Sequence, residues 1–225
     1  LFANQTETDL AVLQDGMDEL AGKYGIKARK IHYTESERFP DMQLMGPHNR
    51  CNAEAAWLAC REFGVTEEAA ARAVAAFQPL EHRLEKVAEI NGVLYVNDSK
   101  CTTVEALRVA LSSFDRPVVL LAGGKFKGGD LPGLCPLLKE HARCVALFGA
   151  SREWFEPAWR DTLPVTWDRT LEQALCRVAG KDGQPALAHE GDVVLLAPAC
   201  SSYDQYPNYL RRGEDFKRVV HEVLA

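Results

Sequence analysis

Residues 94–107 read LYVNDSKCTTVEAL. An apolar run, Leu94-Tyr95-Val96, stops at Asn97, and a helical pattern begins a few residues later. A buried strand that feeds a helix is the repeating joint of an α/β fold. This joint is more elaborate than a turn requires. It carries an acid, a base and two hydroxyls at Asp98, Lys100, Ser99 and Thr102.

Downstream the joint repeats. Short apolar runs occur at 116–124 (RPVVLLAGG), 144–149 (CVALFG), 163–167 (LPVTW) and 192–198 (DVVLLAP). Helical patterns lie between them near 103–113, 131–141, 151–160 and 170–179, with a last one near 213–224. Apolar runs alternating with helices predict a parallel sheet covered on both faces, with right-handed crossovers. Upstream, RLEKVAEI and VLYVND are joined at Asn91-Gly92, a hairpin signal. Pro79 ends the preceding helix, so residues 79–225 are expected to form one Rossmann-like, doubly wound α/β domain with a mostly parallel sheet.

Residues 1–78 read as a separate α/β piece. Leu10, Leu13, Met17 and Leu20 have helical spacing, and ARKIHY is strand-like. Gly46-Pro47 punctuates before a helix from about Cys51 to Phe63 that stops at Gly64. TEEAAARAVAAF follows as a helix with Thr66 as N-cap.

The chain has 225 residues, 47% hydrophobic and 26% charged, so it can bury a core. Its net charge of −6, with no Lys/Arg block, argues against a nucleic-acid partner. No apolar run reaches membrane-spanning length, and neither a signal peptide nor a membrane partner is expected. The seven cysteines show no CxxC and no zinc spacing. They read as free thiols in a reducing cytoplasm, mostly buried. No metal ligands are assigned. The opening LFANQTETD lacks a Met and is a poor domain start, so sequence upstream is expected.

Ligands of such sheets sit beyond the carboxyl ends of the strands. Those ends carry NDSKCT, GGKFKGGD, FGASRE and APACSSYDQ. At the first, Thr102 with Glu105 reads as a capping box, which leaves Asp98 and Lys100 unexplained. A lysine beside a helix N-terminus clamps anions. The second, LLAGGKFKGGDL, lacks the GxxxxGK[ST] pattern; its glycines let backbone approach a ligand while Lys125 or Lys127 supplies charge. At the fourth, Ser202 and backbone amides suit a carboxylate, and Tyr203, Tyr206 and Tyr209 offer an aromatic wall or core packing. Two cationic loops and a hydroxyl loop at one edge suit a small diacid. In GPHNRCN, Asn49 either caps a helix or joins Asn52 in reading a purine edge.

The segments GPHNRCN, PLEHRLE, VNDSKCT, LLAGGKFKGGD and APACSSYDQYPNYLRRGEDF together resemble the Mur ligases. The resemblance implies that residues 1–78 are the tail of the central ATP-binding domain and 79–225 the C-terminal amino-acid-binding domain. It implies ATP as cofactor, with Mg²⁺, the P-loop and the metal ligands upstream. The implied reaction joins D-glutamate to UDP-N-acetylmuramoyl-L-alanine through an acyl phosphate, in a cytoplasmic monomer making peptidoglycan precursors. By the same resemblance Asn49 and Asn52 contact adenine, Asp98 the ribose, and Arg83 the terminal phosphates as a catalytic group. Lys100, Thr102, Lys127, Ser202 and Tyr203 bind D-glutamate, with Tyr209 lining the pocket. Cys101 and Thr103 depart from the commoner Ala and Asn of the family, and Lys125 is an extra charge. This chain alone is expected to be inactive. The alternatives are a non-catalytic nucleotide- or amino-acid-binding domain, and a related Mur or folylpolyglutamate-type ligase with another amino acid.

Overall fold

The structure, a computed structural model, describes residues 2–224. The chain divides into two compact units, Leu1–Gln78 and Pro79–Ala225.

In the first unit, β1 (Leu10–Gln14) pairs in parallel with β2 (Arg29–Tyr33) across the short helix α1 (Asp18–Lys23). The helical spacing over Leu10–Leu20 is therefore corrected: its first half is a strand. Leu10 and Leu13 fit either period, but Ala11 and Leu13 alternate into a core with Ala21 and Ala28. Gly16, at φ +85°, turns the chain before α1 starts.

Helix α2 (Pro47–Arg61) begins four residues before the expected Cys51, because Pro47 sits at its first position. Helix α3 (Glu67–Ala76) is capped by Thr66, whose hydroxyl accepts from Ala69 N at 3.3 Å. Trp57, Leu58, Ala70 and Phe39 pack together. Arg38 bridges α2 and α3, donating to the buried Glu54 at 2.9 and 3.3 Å and to Glu67 at 2.9 Å.

The second unit is built on six strands in the order β3-β4-β8-β5-β6-β7. They are β3 (Glu85–Ile90), β4 (Val93–Asn97), β5 (Val118–Gly123), β6 (Ala142–Phe148), β7 (Val165–Asp168) and β8 (Val193–Leu196). Only β3 runs antiparallel, through a hairpin with φ +50° at Asn91 and +75° at Gly92. Every residue of β5 and β8 is buried, which is why these strands read as unbroken apolar runs.

Alternation sends Val119 and Leu121 toward α7 (Leu171–Val178) and α8 (Tyr209–Val219), where they meet Leu171, Leu175, Phe216 and Val219. Leu120 points the other way. Buried there are Leu107 of α4 (Val104–Leu111), Leu138 of α5 (Cys135–His141), and Phe155 and Trp159 of α6 (Arg152–Trp159). Each fully buried Leu or Phe contributes about 1.5–3 kcal/mol. Helix α8 starts at Tyr209, ahead of the expected 213, because the Asn208 side chain accepts from Arg211 N. It ends in a single π turn, Val220–Leu224.

All seven cysteines are free, but only Cys101, Cys144 and Cys200 are buried and Cys60 is exposed. The expectation of mostly buried thiols is corrected accordingly.

Candidate functional site

Strands β4, β5, β6 and β8 are parallel neighbours, so their exits open on one edge of the sheet. Strand β8, last in the chain, inserts between β4 and β5, and this reversal opens the crevice of a doubly wound fold.

Backbone hydrogen bonds stitch the exit loops together. Ala199 N donates to Cys101 O at 3.0 Å, joining the β8 exit to the β4 exit. Lys125 and Ser201 form a reciprocal bridge: Lys125 N to Ser201 O at 2.8 Å and Ser201 N to Lys125 O at 3.1 Å. The Ser201 hydroxyl also donates to Lys125 O. Ser99 Oγ donates to Tyr209 O at 2.8 Å, tying the β4 exit to the start of α8. Ala199, at φ +53°, holds a left-handed conformation where the loops meet.

This framework presents the side chains singled out in the sequence. Lys100 is exposed, with Nζ 4.1 Å from the centroid of the half-buried Tyr209 ring. Ser202 is 2% exposed, and its carbonyl accepts from Gln205 N and Tyr206 N. Tyr203 projects outward, 69% exposed. Lys125 and Lys127 are both exposed on the β5 exit. Lys125 has its backbone committed to Ser201.

The capping reading at Thr102 is corrected. Helix α4 is capped one residue later, by Thr103, whose hydroxyl accepts from Ala106 N at 3.2 Å. Thr102 is thereby left half-buried at the rim with no capping role.

Asp98 and Arg83 lie at the outer side of β4. The chain bends over His82-Arg83-Leu84, with φ +64° at His82 and +44° at Leu84. Such conformations cost about 1–3 kcal/mol each and persist only where neighbours fix them. Glu85 accepts from His82 N at 2.9 Å, Asn97 Nδ2 donates to His82 Nδ1 at 2.9 Å, and Lys100 N donates to His82 O at 3.1 Å. The bend buries His82 and leaves Arg83 exposed beside Asp98. Burial raises the Asp98 carboxyl to about 6, opposed by the Leu84 N–H and by the charge of Arg83.

In the first unit, Asn49 does not cap α2. The N-cap is Gly46, and Asn49 sits inside the first turn, donating to Met45 O at 2.7 Å. Asn52 donates to Asn49 Oδ1 at 3.3 Å, so the two amides are neighbours. His48 Nδ1 beside them is buried without a partner, and burial holds the imidazole below its usual range. Among the described residues no group of three His, Cys, Asp or Glu side chains could hold a metal ion. No helix among them is long and apolar enough to cross a membrane.

Sequence reasoning passed over Arg212, the most deeply buried charge near this edge. Its Ser99 partner lies 113 residues away, and within RRGEDF it reads as one more solvated helix residue.

The fold is similar to that of solved ligases. MurF from Acinetobacter baumannii superposes with a TM-score of 0.62 at 15% identity, covering 92% of this chain and 51% of that one. Folylpolyglutamate synthase of Mycobacterium tuberculosis, solved with ADP, gives 0.62 at 16%, covering 92% and 55%. No family model matches the chain. Among curated proteins, UDP-N-acetylmuramoylalanine--D-glutamate ligase of Lawsonia intracellularis is 60% identical over 221 residues, 98% of this chain and 49% of that protein. The ligase of the same name from Nitratidesulfovibrio vulgaris (strain DP4) is 59% identical over 223 residues, 99% of this chain and 50% of its own length. The chain is similar to Mur ligases in sequence and in fold. Among these, the chain is similar to the ligases whose name specifies D-glutamate, and it spans about half the length of these curated relatives.

Proposed function

We propose that the full-length protein is an ATP-dependent ligase that adds D-glutamate to UDP-N-acetylmuramoyl-L-alanine in peptidoglycan precursor synthesis. The reading is supported by relatives of that name at 55–60% identity. The single observation that carries it to this chain is the joining of three polar exit loops at one sheet edge, with Lys100, Lys125 and Lys127 exposed there and Ser202 buried on the β8 exit between the other two. Residues 1–78 act as the tail of the ATP-binding domain and 79–225 as the amino-acid-binding domain.

In this reading Lys100 and Lys127 act as point charges for the two carboxylates of D-glutamate, and Thr102 and Ser202 offer hydroxyls. Tyr203 and Tyr209 line the pocket. ATP phosphorylates the carboxylate of UDP-N-acetylmuramoyl-L-alanine, and the amine of D-glutamate displaces the phosphate. Holding that amine in line with the acyl carbon can supply roughly 7–11 kcal/mol of the barrier. Arg83 offsets charge on the transferring phosphoryl group. Asp98 contacts the nucleotide ribose, and Asn49 and Asn52 in the first unit offer amides to a purine edge. Mg²⁺ supplies charge neutralisation when bound; no residue of this chain is assigned to it. The enzyme works as a cytoplasmic monomer with no nucleic-acid or membrane partner.

The test is phosphate release by the full-length protein with ATP and UDP-N-acetylmuramoyl-L-alanine. Release that requires D-glutamate and is not supported by L-glutamate or L-lysine supports the proposal. Release with another amino acid but not D-glutamate overturns it.

A further inference from the structure

Arg212 is fully buried, 0% exposed, and makes no ion pair among the described residues. Its guanidinium meets three neutral acceptors: Nε donates to Ser99 Oγ at 3.0 Å, one terminal nitrogen to Ser99 O at 2.8 Å and the other to Cys200 O at 3.1 Å. Two of its five N–H groups have no acceptor among the described residues. Burial draws the guanidinium down to about 10, so it stays charged at neutral pH. A buried charge without a counter-ion costs stability that an apolar residue of similar size would not. The compensation therefore lies in what the group holds in place.

What it holds is the backbone beneath the rim. Ser99 directly precedes Lys100, and Cys200 directly precedes Ser201-Ser202. One planar fork thus fixes the separation of the β4 and β8 exits. The β5 exit closes on the same group. A Cβ added to Gly124 would come within 3.2 Å of the Arg212 guanidinium and would overlap Ser201 O, and Gly124 sits at φ +127°.

We infer that Arg212 is a positioning residue for amino-acid binding: its fork sets the spacing between Lys100 and Ser202, and its unpaired charge adds to the attraction for a carboxylate at the rim. This rests on the reading of that rim as the D-glutamate site. A lysine at 212 keeps the charge but offers one point of attachment in place of a fork, so it cannot hold two loops at a set distance.

The experiment compares Arg212→Lys, Ser99→Ala and Lys100→Ala in the full-length enzyme, with KM measured for D-glutamate and for ATP and folding checked by circular dichroism. Arg212→Lys is expected to raise the D-glutamate KM about tenfold or more while the ATP KM stays within about twofold. Ser99→Ala, which removes one acceptor of the fork, is expected to move it in the same direction by about threefold. If Arg212→Lys does not fold, Ser99→Ala decides. Folded variants with an unchanged D-glutamate KM, or with both KM values raised equally, overturn the inference. Lys100→Ala separates the two levels. If it too leaves the D-glutamate KM unchanged, the site reading fails; if it alone raises that KM, only the role of Arg212 fails.

Discussion

Lys100 Nζ stands 4.1 Å from the centre of the Tyr209 ring, although the two residues belong to different elements, and the hydroxyl of Ser99, next to Lys100, donates to Tyr209 O. The ring face attracts the ammonium and limits where it can swing. A lysine so held meets a carboxylate with less ordering cost than a free one.

The first prediction follows from that contact. Tyr209→Leu removes the ring face but keeps an apolar side chain. The D-glutamate KM of the full-length enzyme should rise roughly two- to fivefold, in line with about 0.5–1 kcal/mol for an exposed cation–π pair. Tyr209→Phe should behave as wild type. Equal loss in both variants would mean that the hydroxyl, not the ring, is what matters.

The β5 exit makes a second prediction. Lys125 has its backbone bound into the Ser201 bridge, whereas the exposed Lys127 lies beyond that bridge in the same loop. Lys127→Met should raise the D-glutamate KM by tenfold or more, as expected for a lost charge-assisted hydrogen bond of about 1.5–3 kcal/mol. Lys125→Met should change it by less than about threefold. Steady-state kinetics on the two variants checks this, and the reverse order would exchange their roles.

Asp98 gives a pH prediction. Its carboxyl is raised from 3.8 to about 6 by burial, so between those values the folded state binds the proton that the unfolded state has released. Stability contributed by Asp98 is therefore full below pH 4 and is lost as pH rises through 6. Asp98→Asn should raise the denaturation midpoint of the chain at pH 7.5 relative to wild type and have little effect near pH 4. Urea melts at the two pH values measure it; a destabilised variant at pH 7.5 would show that the ionised carboxylate has partners that offset its burial.

Gly213 lies inside α8, where Gly→Ala ordinarily stabilises by up to about 1 kcal/mol. Here an added Cβ would overlap the ring of His82, which is buried under the 82–84 bend. Gly213→Ala is expected to destabilise by about 1–3 kcal/mol, the usual cost of overpacking, and to disturb Arg83 with it. A thermal melt above that of wild type would show that the bend yields easily.

The second unit was legible because buried parallel strands advertise themselves. VVLLAG and VVLL are apolar throughout, and Asn91-Gly92 is a turn whose backbone conformation few other residue pairs adopt. LAVLQ at 10–14 was not legible, since five residues fit both periods and the pairing with β2 decides between them. The cap at Thr103 was hidden because adjacent threonines compete for one role, and only the helix start distinguishes them. Of the rim, the exposed lysines and the serine could be read from their place at strand exits. Arg212 could not, because hydrogen bonds spanning 113 residues leave no local signal.

The central claim is that Lys100, Lys127 and Ser202 meet one small diacid at the carboxyl edge of the sheet. A crystal structure of the full-length protein with D-glutamate bound tests it most directly. The account predicts one ligand carboxylate oxygen within hydrogen-bond distance of Lys100 Nζ, another within reach of Lys127 Nζ, and Ser202 Oγ donating to one of them. D-Glutamate bound away from the exits of β4, β5 and β8, with those three side chains facing solvent, would contradict it.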